Sequence, residues 1–579
     1  MAFNMRLGLL SILSIAVGAL GCSKEAPRAT GSAGSSSGGT ANSSGASGVG
    51  GSAAGAAGAA PTSAADCAGK PAVPGRTPLR RLTATEYDNT VRDILADSSA
   101  PGRDFPPPSA GSGFSNDADA YQTQLPDVQG WVNAAELLAA NYRKAGKLTL
   151  ACAADAQNCA SGFITAMGKQ LFRRPVTDDE VASYLARFTA GSSNGGTFEE
   201  GLEWVLERML LSPHFLYRIE LEAVGKPVGT PVPLNDYSVA TRLSYFLWSS
   251  APDPALLAAA DAHQLSTVEG VAAQVQRMMS VAGFTDTLSS FHSQWVQWSD
   301  VLGAEKVATT TPVWNDSLKA DMIHESELFV KSVFASGGSF KDLLTAGYTF
   351  VNPALAQFYG VSYPGAGTDF VRVDMPHRAG LLTQPSILAG LAHPDQSAPI
   401  KRGLMVRSRM LCVDPPPPPM GLKIVLPTVT PGETTKERFA AHRSAEPCKS
   451  CHVFLDPLGL PFENYDEFGR YRDTDQGKPV DATGGLTMVQ SKGMATDATK
   501  VPVNGAADLG AQLASLPEAE QCLVQNWFRF AAGHQEENSD ACTVYSLLDR
   551  FNTSGQKLND LLVAIATSDS FRNRVEVAP

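Results

Sequence analysis

Two thiols and an imidazole fall within five residues at Cys448-Lys449-Ser450-Cys451-His452, and that spacing limits what the surrounding chain can be built to hold. With 9 Cys and 9 His among 579 residues, C-x-x-C-H has a chance expectation of roughly 0.002 per chain, so coincidence explains it poorly. The spacing suits covalent attachment of a porphyrin: the thiols add to two vinyl groups and the imidazole ligates the iron. The expectation is one haem c, held covalently by Cys448 and Cys451, with His452 as the proximal iron ligand. The same residues also allow a local disulfide or redox pair, with His452 adjacent by accident. Thioether chemistry needs an oxidising, haem-supplied compartment, so the N-terminus bears on the choice.

Arg6 is followed by an apolar run from Leu7 to Ala19 and then by Ala19-Leu20-Gly21-Cys22. The run is short for a membrane-spanning helix, and a cysteine directly after small residues resembles a lipobox, in which Cys22 becomes the lipidated first residue. Ser23 behind it resembles the pattern that sends lipoproteins to the outer membrane. The alternative is ordinary secretion with Cys22 unmodified. Residues 1–21 therefore read as a lipoprotein signal and 22–66 as a disordered Gly/Ser/Ala tether, too poor in apolar residues to offset its ordering entropy. A flexible chain of that length spans roughly 35 Å. Membrane contact is expected through the lipid anchor only.

A net charge of −12 and a pI near 5.3 repel phosphate backbones, so no nucleic-acid partner is expected. Setting aside Cys22, Cys448 and Cys451 leaves six cysteines, which suits three disulfides in an exported protein. Closeness in sequence suggests Cys152–Cys159 and Cys522–Cys542, with Cys67–Cys412 as the long-range remainder.

Helix-start signals dominate the body. Thr83-Ala-Thr-Glu86 is a capping-box pattern that predicts a helix over 84–95, and the same grammar returns at Thr177–Glu180 and Ser266–Glu269. Asn235 can cap a further helix that ends before Pro252. Helical spacing of apolar residues also fits 198–211, 283–298, 318–335, 398–411, 507–516, 519–532, 542–552 and 557–567. Strand-like alternation is limited to short segments such as 368–373. The fold class is mainly α: a multi-module helical body with a cytochrome c-like haem module. Pro/Gly punctuation separates helical modules at 76–145, 150–220 and 232–360, the cytochrome-like module at 375–475 and a C-terminal module at 505–575. The Pro415–Pro419 run reads as stiff polyproline II.

Within the haem segment, Pro447 is expected to stop a helix just before the motif. The run from Asp456 to Arg472 reads as turns and apolar side chains walling a macrocycle. Glu463 and Asp466 suggest an acid/base pair, against which stands the plainer reading of solvated or Arg470-paired carboxylates. A sixth ligand would separate electron carrier from enzyme. His442 and Met410 are the preferred candidates; Met405, Met488, Met494, His393 and His534 are also available. His324-Glu325 lacks the second His of a zinc-protease motif. Phe291, His292, Trp295 and Trp298 recur at helical spacing and read as core.

With these residues in view, the chain resembles the planctomycete cytochrome C-like multidomain family, assembled from successive domains of unknown function. The resemblance rests on Arg81-Leu-Thr-Ala-Thr-Glu86-Tyr87, Leu171-Phe-Arg-Arg-Pro175 with Ser212–Arg218, Leu234–Trp248, Arg378–Thr383 with Lys401-Arg402-Gly403, Cys448–Arg472, and Cys522–Gly533. Related chains often carry Arg where this one has His534. The resemblance implies a haem c-bearing or cytochrome-derived exported protein and supplies no reaction. A lipid-anchored c-type haem protein in periplasmic or outer-membrane electron transfer is the leading expectation. One motif means one haem, so a redox partner protein must be met directly. A haem enzyme, peroxidase-like or oxidising an organic substrate, and a non-enzymatic surface binding or scaffold protein are the alternatives.

Overall fold

Side chains that satisfy the orphan amides of helix N-termini punctuate the chain. The computed structural model describes Cys67 and residues 74–576, apart from 110–112, 153–154, 221–224, 308–313, 416–425, 441–443, 445–447 and 488–499. Cys22, the expected tether and Pro416–Pro419 lie outside the described residues. Thr83 accepts from the Glu86 amide while the Glu86 carboxylate accepts from the Thr83 amide, and the helix runs Ala84–Leu95 as the pattern predicts. Thr177 and Glu180 do the same for Asp178–Ser192. Asn235 caps Asp236–Leu247 by accepting from the Ser238 amide. At the third predicted box the cap moves by one residue. Ser266 closes a short turn onto the His263 carbonyl, so Thr267 caps Val268–Met279 instead.

The chain is mainly α, and the later helices follow the apolar periodicity: Phe198–Leu210, Gly283–Val296, Asp316–Ala335, Gly505–Leu513, Pro517–Ala532, Ala541–Thr553 and Leu558–Ala566. Two long helices, Leu125–Lys144 and Ala156–Phe172, escape the sequence reading. Alanine and glycine supply part of their buried faces, at Ala134, Ala135, Ala139, Ala160 and Gly168, and small residues leave a weak periodic signal. Strands are short two-stranded antiparallel ladders. Arg80–Arg81 pairs with Tyr217–Arg218, Tyr348–Val351 with Val371–Asp374, and Pro231–Pro233 with Asn573–Val575 near the C-terminus.

These ladders stitch distant parts of the sequence together, and the apolar cores follow suit. One core collects Leu82 to Tyr245 from the first helices. The largest joins Leu234–Trp248, the helices to Phe334, the 381–411 region, Leu458–Tyr465 and the C-terminal helices. Its centre is aromatic: Phe291 stacks on Trp527 with ring centroids 3.6 Å apart, and Trp295 and Trp298 are fully buried. His292 lies in the same core, its Nδ1 2.8 Å from the Leu288 carbonyl. The aromatic stretch is core, as its spacing predicts.

Of the three expected disulfides, Cys152–Cys159 forms. The other two are exchanged: Cys67 bonds Cys542, and Cys412 bonds Cys522, in place of Cys522–Cys542 and Cys67–Cys412. Nearness in sequence misleads because the intervening residues are rigid. Cys522 sits within the helix Pro517–Ala532, where its Sγ lies 3.3 Å from the Arg409 carbonyl oxygen, whereas Cys542 begins the next helix. Loop-closure entropy rises only about 0.6 kcal/mol per doubling of length. Helix orientation therefore decides the partner.

Two stability predictions follow from this packing. The Cys412→Ser/Cys522→Ser double variant removes a crosslink between residues 110 apart, and denaturant unfolding should register a loss of about 2–4 kcal/mol. Burial also pushes the pKa of His292 down from 6.5 to about 4. The unfolded chain therefore takes up a proton below about pH 6.5 that the fold refuses until about pH 4, and stability falls as pH drops through that window. Between pH 7 and pH 5 this one group should remove about 2 kcal/mol. Urea midpoints of wild type and His292→Gln at both pH values check this, the variant showing the smaller loss.

Candidate functional site

The C-x-x-C-H residues form the start of a helix. Cys448 stands at the N-terminal boundary of Lys449–Gly459, and its carbonyl accepts from the Cys451 amide at 3.2 Å and the His452 amide at 3.0 Å. The helix end expected before Pro447 falls on residues 445–447, outside the described residues. Residues at i, i+3 and i+4 share a helix face, so the motif places Cys448, Cys451 and His452 side by side. That face is half-buried. All six other described cysteines are paired, while Cys448 and Cys451 keep free thiols. Pro457 lies inside the last turns of this helix, where the sequence reads as a turn.

His452 Nδ1 lies 2.8 Å from Asp456 Oδ1, one helical turn on. An ionised carboxylate only accepts, so Nδ1 donates and the lone pair falls on Nε2. The His452 side chain is 17% exposed and that of Asp456 2%. The imidazole is thus held by a nearly buried carboxylate while part of its ring stays accessible. This is the arrangement by which an outer carboxylate orients a metal-binding histidine and raises its basicity. The donor set therefore fits a haem c: two thiols for the vinyl groups and one imidazole nitrogen for the iron.

Rigid packing holds this helix in place. Gly403, on the helix Pro399–Met405, and Gly459 bring the two backbones into contact: a Cβ on Gly403 would overlap the Leu455 carbonyl, and one on Gly459 the Pro399 carbonyl. Between them Arg402 is fully buried. It donates to the carbonyls of Phe462, Tyr465, Asp466 and Leu388 at 2.8–3.2 Å, fixing the turn that leaves the motif helix. Burial pushes its pKa down to about 10, so it stays cationic at neutral pH.

The carboxylates that suggest acid/base work are tied into this scaffold. Asp466 accepts from the Phe468 and Arg470 amides and pairs with the Arg470 guanidinium. Glu463 accepts from Ser397 and pairs with Arg472, which also reaches Asp475; Asp475 in turn accepts from Thr435, just ahead of the motif. Burial raises the pKa of Glu463. These groups brace the segment before and after the motif.

Among the sixth-ligand candidates, Met410 and Met405 are buried in the largest core. His534 is buried beside Arg76, Arg80 and Asp540 in a different part of the fold, its Nδ1 2.8 Å from the Gln535 carbonyl oxygen. The His393 amide donates to the Gln396 carbonyl, and its imidazole lies among Lys401, Asp395 and Lys306. His442, Met488 and Met494 lie outside the described residues. Sequence reasoning does not name Asp456 as the partner of the imidazole. The signal was present in the H-x-x-x-D spacing, which only a helical motif segment turns into a contact. In the metal-free protein, heteronuclear NMR should find His452 as the Nδ1–H tautomer, and Asp456→Ala should shift it toward Nε2–H.

Five family models match in succession. They are proteins of unknown function DUF1587 over residues 80–143, DUF1595 over 159–220, DUF1592 over 234–361, DUF1588, also called PSCyt3, over 378–475, and DUF1585 over 500–571. The motif helix, Arg402 and the bracing carboxylates all fall inside the DUF1588 match. No curated protein and no solved structure matches the chain. The chain is thus a succession of five planctomycete cytochrome C-like domains of unknown function, with its candidate site in the fourth.

Proposed function

We propose that the protein is an exported, lipid-anchored c-type haem protein acting in periplasmic or outer-membrane electron transfer. The single observation that carries this reading is the helix face on which the two unpaired thiols, Cys448 and Cys451, flank an imidazole whose Nδ1 is engaged by Asp456. Cys448 and Cys451 would form the thioether bonds, and His452 Nε2 would ligate the iron. When bound, the haem supplies a one-electron couple. The protein's own part is to hold that couple still. Gly403 and Gly459 lock the helix crossing, Arg402 fixes the exit turn, and Asp456 orients the ligand so that little rearrangement accompanies a change of charge. A lipid on Cys22 would keep the protein at the outer membrane, where one redox centre must meet its partner protein directly.

A second reading, a peroxidase-like haem enzyme, is favoured by one feature. An anionic hydrogen bond to the proximal imidazole makes it a stronger donor and stabilises the more oxidised iron. Carbon monoxide added to reduced protein separates the two: a closed iron leaves the Soret band in place, and an open one shifts it.

The test of haem attachment is direct. Protein produced with a cytochrome c maturation system should retain haem through denaturing electrophoresis, with peroxidase-active staining at full length. Cys448→Ser or Cys451→Ser should weaken covalent retention, and His452→Ala should alter the iron spectrum. A Cys448–Cys451 disulfide in the mature protein, found by mass spectrometry, would exclude the reading.

A further inference from the structure

Where the first, second and fifth domains meet, the fold buries more positive charge than negative. Arg80 and Arg218 stand directly opposite each other in the ladder that joins the first two domains, and both are buried, at 9% and 4% exposure. Like charges so placed destabilise a strand pair. Arg173 and Arg242 pack into the same cluster, and the carboxylates that reach it are Glu86 and Glu220. Three of the four guanidiniums have their compensation. Arg242 is chelated by Glu220 at 2.5–2.7 Å, Arg218 stands 3.6 Å from Glu86, and Arg173 donates to four carbonyls and the Tyr245 hydroxyl. Arg80 is left over. Its Nη1 donates to the Ala531 carbonyl at 2.8 Å, and among the described residues no carboxylate pairs with it. Burial and the Arg218 guanidinium both push its pKa down. A guanidinium does not escape that cost by losing its proton, so the charge calls for a partner.

Beside Arg80 lies a cavity of about 40 Å³, which Arg80 lines together with His534 and Ser568. The segment Gly75–Pro78 forms one wall, held in place by the pairs of Arg76 with Asp119 and Glu537. The helix Pro517–Ala532 ends there at Gly533, φ +70°, and a Cβ on that glycine would overlap the Arg80 guanidinium. The helix end is thus shaped to admit the cation. Nε is closed off at this contact, which leaves Nη2 as the donor with access to the cavity. Two carboxylates also line the space, and both are engaged: Glu220 holds Arg242, and Asp540 accepts from the Glu537 amide. At about 10–15 Å³ for each water-sized occupant, the cavity has room for an ion of very few atoms.

We propose that this cavity binds one small monovalent anion of chloride size, which accepts from Arg80 Nη2 and serves as counter-ion to the buried arginine cluster. One uncompensated cation calls for one charge, and the volume sets the size. The bound ion ties the strand Arg80–Arg81, at the start of the first domain, to the helix end of the fifth. The proposal does not depend on the haem reading.

Urea unfolding of the full-length protein in sodium chloride and in sodium gluconate, at matched ionic strength, tests this. Chloride should raise the unfolding midpoint, with a gain that saturates as the site fills, because a ligand bound by the native state alone stabilises it by mass action. Gluconate, too large for the cavity, should give no such gain. Arg80→Gln should lose the chloride-specific shift while keeping the general response to ionic strength. Crystals of the wild type soaked in bromide should show an anomalous peak in the cavity beside Arg80. Equal midpoints in the two salts overturn the proposal, and so does a chloride-specific shift that survives in Arg80→Gln. If Arg80→Gln does not fold, the bromide crystals decide alone: a peak beside Arg80 supports the proposal, and a cavity holding only water overturns it.

Discussion

One guanidinium with four carbonyls around it holds the candidate site together. Arg402 is fully buried, and the acceptors it gathers come from both sides of the module, Leu388 before it and Phe462, Tyr465 and Asp466 after the motif helix. A lysine could not span them, because a compact ammonium has no planar fork. An apolar residue would strand several buried carbonyls, each costing about 1–3 kcal/mol. The glycines at 403 and 459 depend on the same geometry: they let two backbones touch, and the arginine beside the crossing fixes its angle.

From this centre the constraints spread in two directions. Toward the motif, the crossing fixes the helix on which Cys448, Cys451 and His452 share a face, and the helix in turn delivers Asp456 to the imidazole. Away from it, Leu458, Phe462 and Tyr465 enter the same apolar core as Phe291 and Trp527. The cytochrome-like domain is therefore not an appendage on a helical body. Its core is continuous with those of the third and fifth domains, which accounts for a large protein around one small site.

How much of this the sequence reveals depends on whether the determinant is local. Thr83 and Glu86 specify their helix because every partner lies within four residues, and the five-residue motif is visible for the same reason. The disulfide exchange, the Gly403–Gly459 contact and the carbonyl cage of Arg402 were not legible, since each is decided by which helices end up adjacent. Lys401-Arg402-Gly403 stands out only through family resemblance, and its physical meaning appears once the crossing is seen. Asp456 is intermediate. Its spacing from His452 is visible, but reading the segment as turns instead of helix hides the contact.

The bond between Cys67 and Cys542 joins residues 475 apart in sequence and closes the chain between them into a covalent ring. Any pull on the polypeptide ahead of Cys67 is delivered through sulfur to the helix Ala541–Thr553, close to the other end of the protein. Traction from that side cannot unzip the first helices one by one, because the load bypasses them. A protein held by its leading segment would thus be gripped near both ends at once, and shear at its mooring would leave the interior undisturbed.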